Sequence, residues 1–155
     1  MTANFVRFVL VVVLALLVGT MFGIWVGYNP AVLSASAYVE QQQNAIRALN
    51  TLLPVMGAVC IVLTVFLAVT SKSDARSRYL LVAAATLLVV AGLVTRFGNQ
   101  PINAIVIMWD AQAPGENWEQ LRDQWWSWHV VRSIAGIAAL ALTVLSVLTF
   151  KPSRT

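Results

Sequence analysis

The chain has 155 residues, of which 59% are hydrophobic and 10% are charged; this composition excludes an ordinary soluble domain and is typical of membrane proteins. Its net charge of +4 is not concentrated in any basic run or patch, so nucleic acid is not expected as a partner. The single cysteine, Cys60, excludes an intramolecular disulfide and a cysteine-ligated zinc or iron–sulfur site.

Four apolar segments are each long enough to cross a bilayer as a helix, and none contains a charged residue. They cover about residues 8–27, 52–70, 79–95 and 133–150. The sequence therefore predicts an all-α fold, a single transmembrane domain over residues 1–155. In this integral membrane four-helix bundle the spans contact the lipid bilayer. An even number of spans places both termini on the same side of the membrane.

The first span carries a glycine at every fourth position, namely Gly19, Gly23 and Gly27. These residues form one stripe along a helix, and such a stripe lets another helix approach closely. We favour packing within the bundle, and the alternative is contact with a neighbouring copy in a homo-oligomer or with a larger membrane complex. Asn29 and Pro30 then end the helix, because proline lacks an amide hydrogen and restricts the residue before it.

Residues 31–51 have a helical composition but are too polar to cross a membrane. We expect an extracytoplasmic helical extension that leads into the second span, with Pro54 as a kink. Four polar residues of this helix are three or four positions apart and so share one face: Glu40, Gln43, Asn44 and Arg47. That face either lines a site at the outer mouth of the bundle or is simply solvated.

The distribution of cations predicts the orientation of the bundle. One side carries Arg7, Lys72, Arg76, Arg78, Lys151 and Arg154, with Asp74 as its only acid. The other side carries Arg47, Arg96, Arg122 and Arg132, which are diluted by the remaining five acids. Since positive loops stay on the cytoplasmic side, both termini are expected in the cytoplasm, with the protein in a bacterial inner (plasma) membrane.

The connection between the third and fourth spans holds five of the six tryptophans. Glycine and proline punctuate it, so residues 99–116 are predicted to form a loop with a short apolar turn at 104–109. Asn117 is the expected N-cap of a helix that begins at Trp118 and continues into the fourth span. The polar and aromatic residues before that span are therefore expected at the extracytoplasmic end.

One face of this predicted helix concentrates the candidate functional residues. Positions three and four apart place on it Trp118, Arg122, Trp125, His129 and Arg132, with Trp126 at its edge. Indoles beside a guanidinium and an imidazole suit a flat aromatic or anionic small molecule. The alternative is that the tryptophans are interfacial anchors, which we favour for Trp128, that Arg132 only snorkels, and that His129 is a structural hydrogen-bonding residue.

Two asparagines precede this helix, Asn99 and Asn103, on either side of Pro101. Their amides either clamp the local backbone, which we favour, or bind a carbonyl group of a ligand. The sequence contains no Glu-x-x-His pair for a di-iron centre, no second histidine for a bis-histidine haem and no glycine-rich nucleotide loop. No cofactor and no metal site are therefore expected.

The motif Asn-x-Pro-x-Asn, a following tryptophan, and then Trp-x3-Arg-x3-Trp-x2-His-x2-Arg resembles the pattern of the anthrone oxygenase-like membrane proteins. The matching residues are Asn99, Pro101, Asn103, Trp109, Trp118, Arg122, Trp126, His129 and Arg132. The four-span layout and the polar helix that carries Glu40 are also similar, so the resemblance covers nearly the whole chain. It implies an oxidation like that of the fungal members, which convert anthrones to anthraquinones with molecular oxygen and no cofactor.

The resemblance suggests a hypothesis for the residues of an oxygenase site. The catalytic residues would be His129 as a base, Arg122 and Arg132 as a clamp for the oxyanion, and Glu40 as the residue that orients His129 or an arginine. The aromatic or quinone-like substrate would be bound by Trp118 and Trp126 as walls, together with Trp125, Trp109, Asn99 and Asn103. These residues supply the base, the cationic clamp and the dry aromatic pocket that the reaction needs.

A non-enzymatic function remains the alternative. The same cluster is also suited to a small membrane binding protein or accessory subunit that holds a lipid, a quinone or a partner protein. A transporter is disfavoured, because four spans without an internal charge offer no evident path for an ion.

Overall fold

The computed structural model describes residues 2–71 and 74–150, and the regular structure in these residues is entirely helical, which confirms the all-α prediction. The α-helices of this part are α1 (Thr2–Gly27), α2 (Ala35–Leu49), α3 (Leu52–Thr70), α4 (Ala75–Val94), α5 (Gln100–Val106) and α6 (Trp118–Thr149). Lys72, Lys151 and Arg154, three of the cations in the orientation argument, lie outside the described residues.

Four segments of the structure are long and apolar enough to cross a membrane, and they correspond to the four predicted spans. They are Asn4–Val32, Leu52–Thr70, Ala75–Val106 and Trp118–Thr149. Many of their large apolar side chains point outward, among them Phe8, Leu16, Val62 and Leu148, each at least 61% exposed. Such a surface is unfavourable in water and suits the hydrocarbon of a bilayer.

The two ends of the bundle have different chemistry. At one end the guanidinium of Arg7 in α1 donates to the hydroxyl of Ser71, 3.0 Å away, and lies over the ring of Phe150. These contacts join the beginning of α1, the end of α3 and the end of α6. The apolar core of α1, α3, α4 and α6 separates this end from a second, aromatic cluster around Trp125. The predicted polar and aromatic site therefore lies at the opposite end of the bundle from Arg7.

The glycine stripe of α1 does not pack inside the bundle. Gly19, Gly23 and Gly27 are exposed, and a Cβ atom built at any of them would meet no atom of another side chain or helix within 4 Å. The preferred interpretation, packing within the bundle, is therefore wrong. Contact of this stripe with a neighbouring copy or another membrane protein stays a prediction.

The polar segment before the second span is a separate helix. A 3₁₀ turn at Pro30–Val32 follows α1, and the hydroxyl of Ser34 accepts from the amide of Ala37 to cap α2. The side chains of Tyr38, Val39, Gln42 and Ile46 are buried. Their spacing of three and four residues gives α2 one inward face, with which it covers the end of the bundle.

The third helical segment is longer than the sequence indicates. The sequence predicts a loop over residues 99–116 with a short apolar turn at 104–109, but α4 continues through a π-helical turn at Thr95–Asn99 into α5, so residues 99–106 are helical. Pro101 is compatible with this continuation because it stands in the first turn of α5, directly after the π turn. Proline in a regular helix removes one hydrogen bond and clashes with the preceding turn, and a π turn shifts the register so that the helix continues. The loop begins only after Val106.

A glycine lets this π turn approach α6 closely. Gly98 is buried, and a Cβ atom built on it would lie 2.7 Å from Cγ of Trp128. The indole of Trp128 therefore rests directly on the backbone of the π turn. Although Trp128 is 38% exposed, as an interfacial anchor would be, it also packs the third helical segment against α6.

The long helix α6 begins at Trp118, as predicted, and runs without interruption to Thr149. Asn117 stands at the expected N-cap position, but its side chain makes no capping hydrogen bond. The helix thus carries the site residues in its first half and the fourth span in its second half.

Candidate functional site

The predicted face of α6 is the inward face of that helix. Arg122, Trp125, His129 and Arg132 are buried, and Trp118 is half-buried at the beginning of the face. The helical spacing in the sequence therefore brings four of these five side chains into the interior of the bundle. Trp126 is half-buried beside them.

His129 has no exposed surface, and both of its ring nitrogens are engaged. Nε2 lies 3.1 Å from the carbonyl oxygen of Met21 in α1, and Nδ1 lies 3.2 Å from Nε and 2.9 Å from Nη2 of Arg132. Because a carbonyl can only accept and a guanidinium can only donate, His129 carries its proton on Nε2 and accepts on Nδ1. Its imidazole is a neutral bridge between α1 and Arg132.

Two indoles hold the imidazole in this orientation. The ring of Trp125 is nearly parallel to that of His129, with ring centres 5.2 Å apart and an angle of 4°. The ring of Trp126 is 5.7 Å away at an angle of 25°. The edge of Tyr28 packs against both tryptophans. Such packing restricts the rotation of the imidazole and so fixes the direction of its two hydrogen bonds.

Arg132 is a buried cation without a carboxylate partner. It is 8% exposed, and the ion pair found among residues 2–71 and 74–150 joins Arg122 to Asp123 instead. Nε and Nη2 of Arg132 donate to His129, whereas Nη1 has no hydrogen-bond partner in the described part and is not fully enclosed. An unpaired charge inside an apolar bundle is unfavourable. The site is therefore electrostatically suited to an anion.

Arg132 faces two cavities. The first has a volume of about 160 Å³ and lies below α2, and its polar lining comes from Tyr28, Gln42, Asn50 and Asn103. The second has a volume of about 270 Å³, lies among α1, α3, α4 and α6, and is mostly apolar. Besides Arg132, the two cavities share Leu53, Pro54 and Thr95. The guanidinium therefore stands between a cavity with several polar groups in its wall and a mostly apolar cavity.

The two predicted asparagines hold the helices around the first cavity. Asn99 donates from Nδ2 to the carbonyl of Trp125 at 3.0 Å. The amide oxygen of Asn103 accepts from the indole nitrogen of Trp125 at 2.8 Å and from Gln42 at 3.4 Å, and its nitrogen donates to Asn50 at 2.8 Å. Both amides thus join neighbouring helices and do not clamp the local backbone as predicted, and Asn103 also lines the cavity.

Arg122 does not join Arg132 at a single point. Ten residues of α6 separate the two arginines, which corresponds to roughly 15 Å along a helix. The guanidinium of Arg122 donates to the carboxylate of Asp123 at 2.8 Å, lies 4.9 Å from the ring centre of Trp118, and lines neither cavity. A clamp made by both arginines on one oxyanion does not fit this geometry, because the distance is too large.

Tyr38 of α2 lies beside Trp118. Its ring is 6.0 Å from that of Trp118, and its hydroxyl is buried without a hydrogen-bond partner in the described part. Burial raises the pKa of the Tyr38 hydroxyl above its ordinary value, and the neighbouring Tyr28 adds to the effect. The phenol therefore stays neutral at physiological pH.

The structure does not bring Glu40 to the cluster. Glu40 is exposed on α2, and it makes no hydrogen bond or ion pair with His129 or an arginine in the described residues. On the same helix Gln43 donates to the carbonyl of Trp109 at 2.8 Å, and Arg47 donates to Gln43. Most of the face that contains Glu40 is solvated, and the contact of Gln43 fixes the half-buried Trp109 beside α2.

Several residues that line the first cavity were not predicted from the sequence, and Tyr28 and Gln42 are two of them. The hydroxyl of Tyr28 donates to the amide oxygen of Gln42 at 3.3 Å, and Gln42 in turn donates to Asn103. The signal for Gln42 is its spacing from the apolar residues Tyr38, Val39 and Ile46, which places it on the inward face of α2. Tyr28 gives no such signal, because it stands where α1 has already ended.

No group of three or more histidine, cysteine, aspartate or glutamate side chains that would hold a metal ion occurs within the described ranges. Near His129 the guanidinium of Arg132 has a donor that is free to bind a ligand, and the amides and phenol of the first cavity, which bond to one another, line the space beside it. Together they can bind an oxyanion or a carbonyl group next to an aromatic wall formed by Trp125.

Comparison with known families gives a match to the sequence that contains these residues. The model of the anthrone oxygenase family matches residues 42–142, which is 101 of the 155 residues. The matched region includes α3, α4, α5 and the half of α6 that carries His129 and Arg132. No curated protein and no solved structure matches the chain.

Proposed function

Since the chain belongs to the anthrone oxygenase family, we propose that it oxidises an anthrone or a related quinol-type aromatic with molecular oxygen and without a cofactor. The observation that carries this proposal is Arg132, a buried guanidinium that has no carboxylate partner among the described residues and faces both cavities. A cation in this position stabilises the enolate of an anthrone, which is the species that reacts with oxygen.

The proposed reaction is balanced with oxygen as the only co-reactant. The methylene carbon of the anthrone loses a proton to water, and the resulting enolate passes one electron to oxygen. The superoxide and the carbon radical combine into a peroxide at that carbon. Loss of the second hydrogen as a proton and cleavage of the oxygen–oxygen bond then give the carbonyl of the anthraquinone. One oxygen atom enters the product, and the other leaves as water.

The side chains around the cavities have distinct roles in this proposal. Arg132 binds the enolate oxygen, and Trp125 forms an aromatic wall beside the rings. His129 is a positioning residue, because its Nδ1 accepts from Arg132 and its Nε2 donates to Met21, which leaves no free lone pair for a substrate proton. Asn103 and Gln42 present amides to the polar end of the ligand.

The other predicted site residues act from a distance. Trp126 supports the imidazole from behind, and Asn99 holds the backbone of α6 at Trp125. Arg122, Trp118 and Trp109 line neither cavity. We place these three at the outer rim of the site, in contact with α2 and the connection before α6.

The orientation of the protein is part of the proposal. Arg76 and Arg78 stand at the beginning of α4, at the end of the bundle where Arg7 lies, opposite to the site. The positive-inside rule then places both termini in the cytoplasm of a bacterium and the site near the extracytoplasmic face of the inner membrane.

A second candidate function rests on the glycine stripe of α1. Because Gly19, Gly23 and Gly27 face away from the bundle, they offer a close contact for another transmembrane helix. This favours a binding or accessory subunit, either as a homo-oligomer or within a larger complex, that holds a quinone or a lipid at Arg132 without converting it.

An assay with purified protein in lipid nanodiscs distinguishes the two functions. We expect oxygen uptake with anthrone to exceed the autoxidation rate measured with empty nanodiscs, and one oxygen molecule to be consumed for each anthraquinone formed. Uptake equal to that of empty nanodiscs, at a protein concentration that binds anthrone, would contradict the oxygenase and favour the binding function.

A further inference from the structure

The second cavity opens toward the lipid between α3 and α4. Its deep walls include the buried residues of α1 and α6, whereas three of its lining residues are exposed: Ala58 of α3, Gly92 of α4 and Arg96 of the π turn. The small side chains at Ala58 and Gly92 leave the gap between the two helices unfilled: a Cβ atom built on Gly92 meets nothing within 4 Å. Since both helices belong to candidate membrane spans, the gap lies on the side of the bundle that faces the bilayer, with Arg96 at its edge.

The sizes of the cavities indicate that one ligand occupies both. Sites for ordinary organic ligands have volumes of roughly 300 Å³ or more. Neither the first cavity, at about 160 Å³, nor the second, at about 270 Å³, reaches this value by itself. The two together exceed it, and they share Arg132, Thr95, Leu53 and Pro54. A ligand bound at Arg132 therefore has room for a polar part on one side and an apolar part on the other.

We infer that the ligand is a lipid-dissolved enol or phenol that reaches Arg132 from the bilayer through the gap between α3 and α4. Its oxyanion binds Arg132, its carbonyl side faces the amides of the first cavity, and its apolar body fills the second. This inference rests on the proposed function for the chemistry of the oxyanion. The path of access and the apolar character of the ligand are argued from the second cavity, from its apolar lining and its opening to lipid.

A leucine in place of Gly92 tests the path. The substituted side chain enters open space at the mouth of the second cavity, so the fold tolerates it and the gap narrows. Ala83→Leu is the matched control, because Ala83 is also a small exposed residue of α4 and it lines neither cavity. Gly92→Ala provides an intermediate side chain.

Binding is measured without turnover, by quenching of tryptophan fluorescence with anthrone under anaerobic conditions in nanodiscs. We expect Gly92→Leu to slow the association of anthrone and to weaken its binding by about 10-fold or more, since the leucine occupies the mouth through which the ligand enters. Gly92→Ala is expected to have a smaller effect, and Ala83→Leu none. Equal thermal unfolding of the two leucine variants shows that the fold is unchanged.

The outcomes separate this inference from the proposed function. If Gly92→Leu weakens the binding of anthrone but the wild-type protein does not consume oxygen, the lipid path is supported and the oxygenase function is contradicted. Binding in Gly92→Leu that equals the wild type would overturn the lipid path even if the wild type is an active oxygenase. Wild-type protein that does not bind anthrone but whose second cavity retains a phospholipid through purification would also overturn it, because the cavity would then hold a structural lipid.

Discussion

Replacing Arg132 with methionine should lower kcat/KM for anthrone oxidation by about 100- to 1000-fold, the loss expected when a donor to a developing oxyanion is removed. Methionine keeps an unbranched side chain of similar length but carries no charge and no donor. Because no carboxylate pairs with Arg132 in the described residues, the substitution leaves no buried acid uncompensated. The effect should therefore appear mainly in turnover, with a smaller loss of stability of about 1–3 kcal/mol because the buried Nδ1 of His129 loses its donor.

Arg122→Met is the matched control for this prediction. Arg122 lies on the same face of the same helix, but it pairs with Asp123 and lines neither cavity. We expect its kcat/KM to stay within about threefold of the wild type, as is usual for a partly exposed ion pair. Steady-state oxygen uptake gives both values. Equal losses in the two variants would contradict the assignment of the oxyanion to Arg132 alone.

Replacing His129 with alanine should have the largest effect on stability. The imidazole is fully buried, stacks on Trp125, and hydrogen bonds to Met21 and Arg132. Its removal creates a cavity and leaves a guanidinium without its acceptor, so a loss of about 3–5 kcal/mol in the free energy of unfolding is expected. Denaturant unfolding in mild detergent, followed by tryptophan fluorescence, measures it.

His129→Gln separates a positioning role from that of a base. The amide of glutamine can still accept from Arg132, but it cannot take a proton from the substrate. If His129 only orients Arg132, kcat/KM of the glutamine variant should stay within about 10-fold of the wild type, and its dependence on pH should keep the same shape. Loss of turnover as complete as in His129→Ala, together with a changed pH profile, would show that His129 is the base.

The features of the fold that the sequence predicts correctly are those that follow from helical periodicity. The four apolar segments and the inward face of α6 are properties of residues three and four apart. This pattern placed Trp118, Arg122, Trp125, His129 and Arg132 on one face of the helix, and the structure shows that this face points into the bundle. It does not show how far apart two residues of the same face lie along the helix, so Arg122 and Arg132 were grouped into one clamp.

The wrong predictions concern features that no local pattern encodes. The continuation of α4 past Gly98 and Pro101 depends on a π turn and on the indole of Trp128 that packs against it. Gly98 and Pro101 are both normally signals for a loop.

The partner of His129 on α1 is also not encoded in a local pattern. It is the backbone carbonyl of Met21, and every residue of a helix has such a group. Identifying it therefore requires the packing of α1 against α6.

Glu40 shows why residue type alone misdirects a search for a site. A carboxylate is the expected partner of a histidine or an arginine, and this favoured Glu40 over the neighbouring glutamines. The inward face of α2 is set by its apolar residues, Tyr38, Val39 and Ile46, and Gln42 lies on that face. The burial of Gln42 and the exposure of Glu40 leave Arg132 without an acid. The lack of an acidic partner for Arg132 among the described residues is the basis for expecting an anionic ligand.

The most direct test of the account is the absorption spectrum of anthrone bound to the protein without oxygen at neutral pH. If Arg132 stabilises the enolate, titration of the wild type with anthrone should produce the enolate spectrum in proportion to the occupied sites. Arg132→Met should bind anthrone as the neutral ketone. A neutral ketone spectrum in the saturated wild type, or the same enolate spectrum in both proteins, would contradict the central role of Arg132.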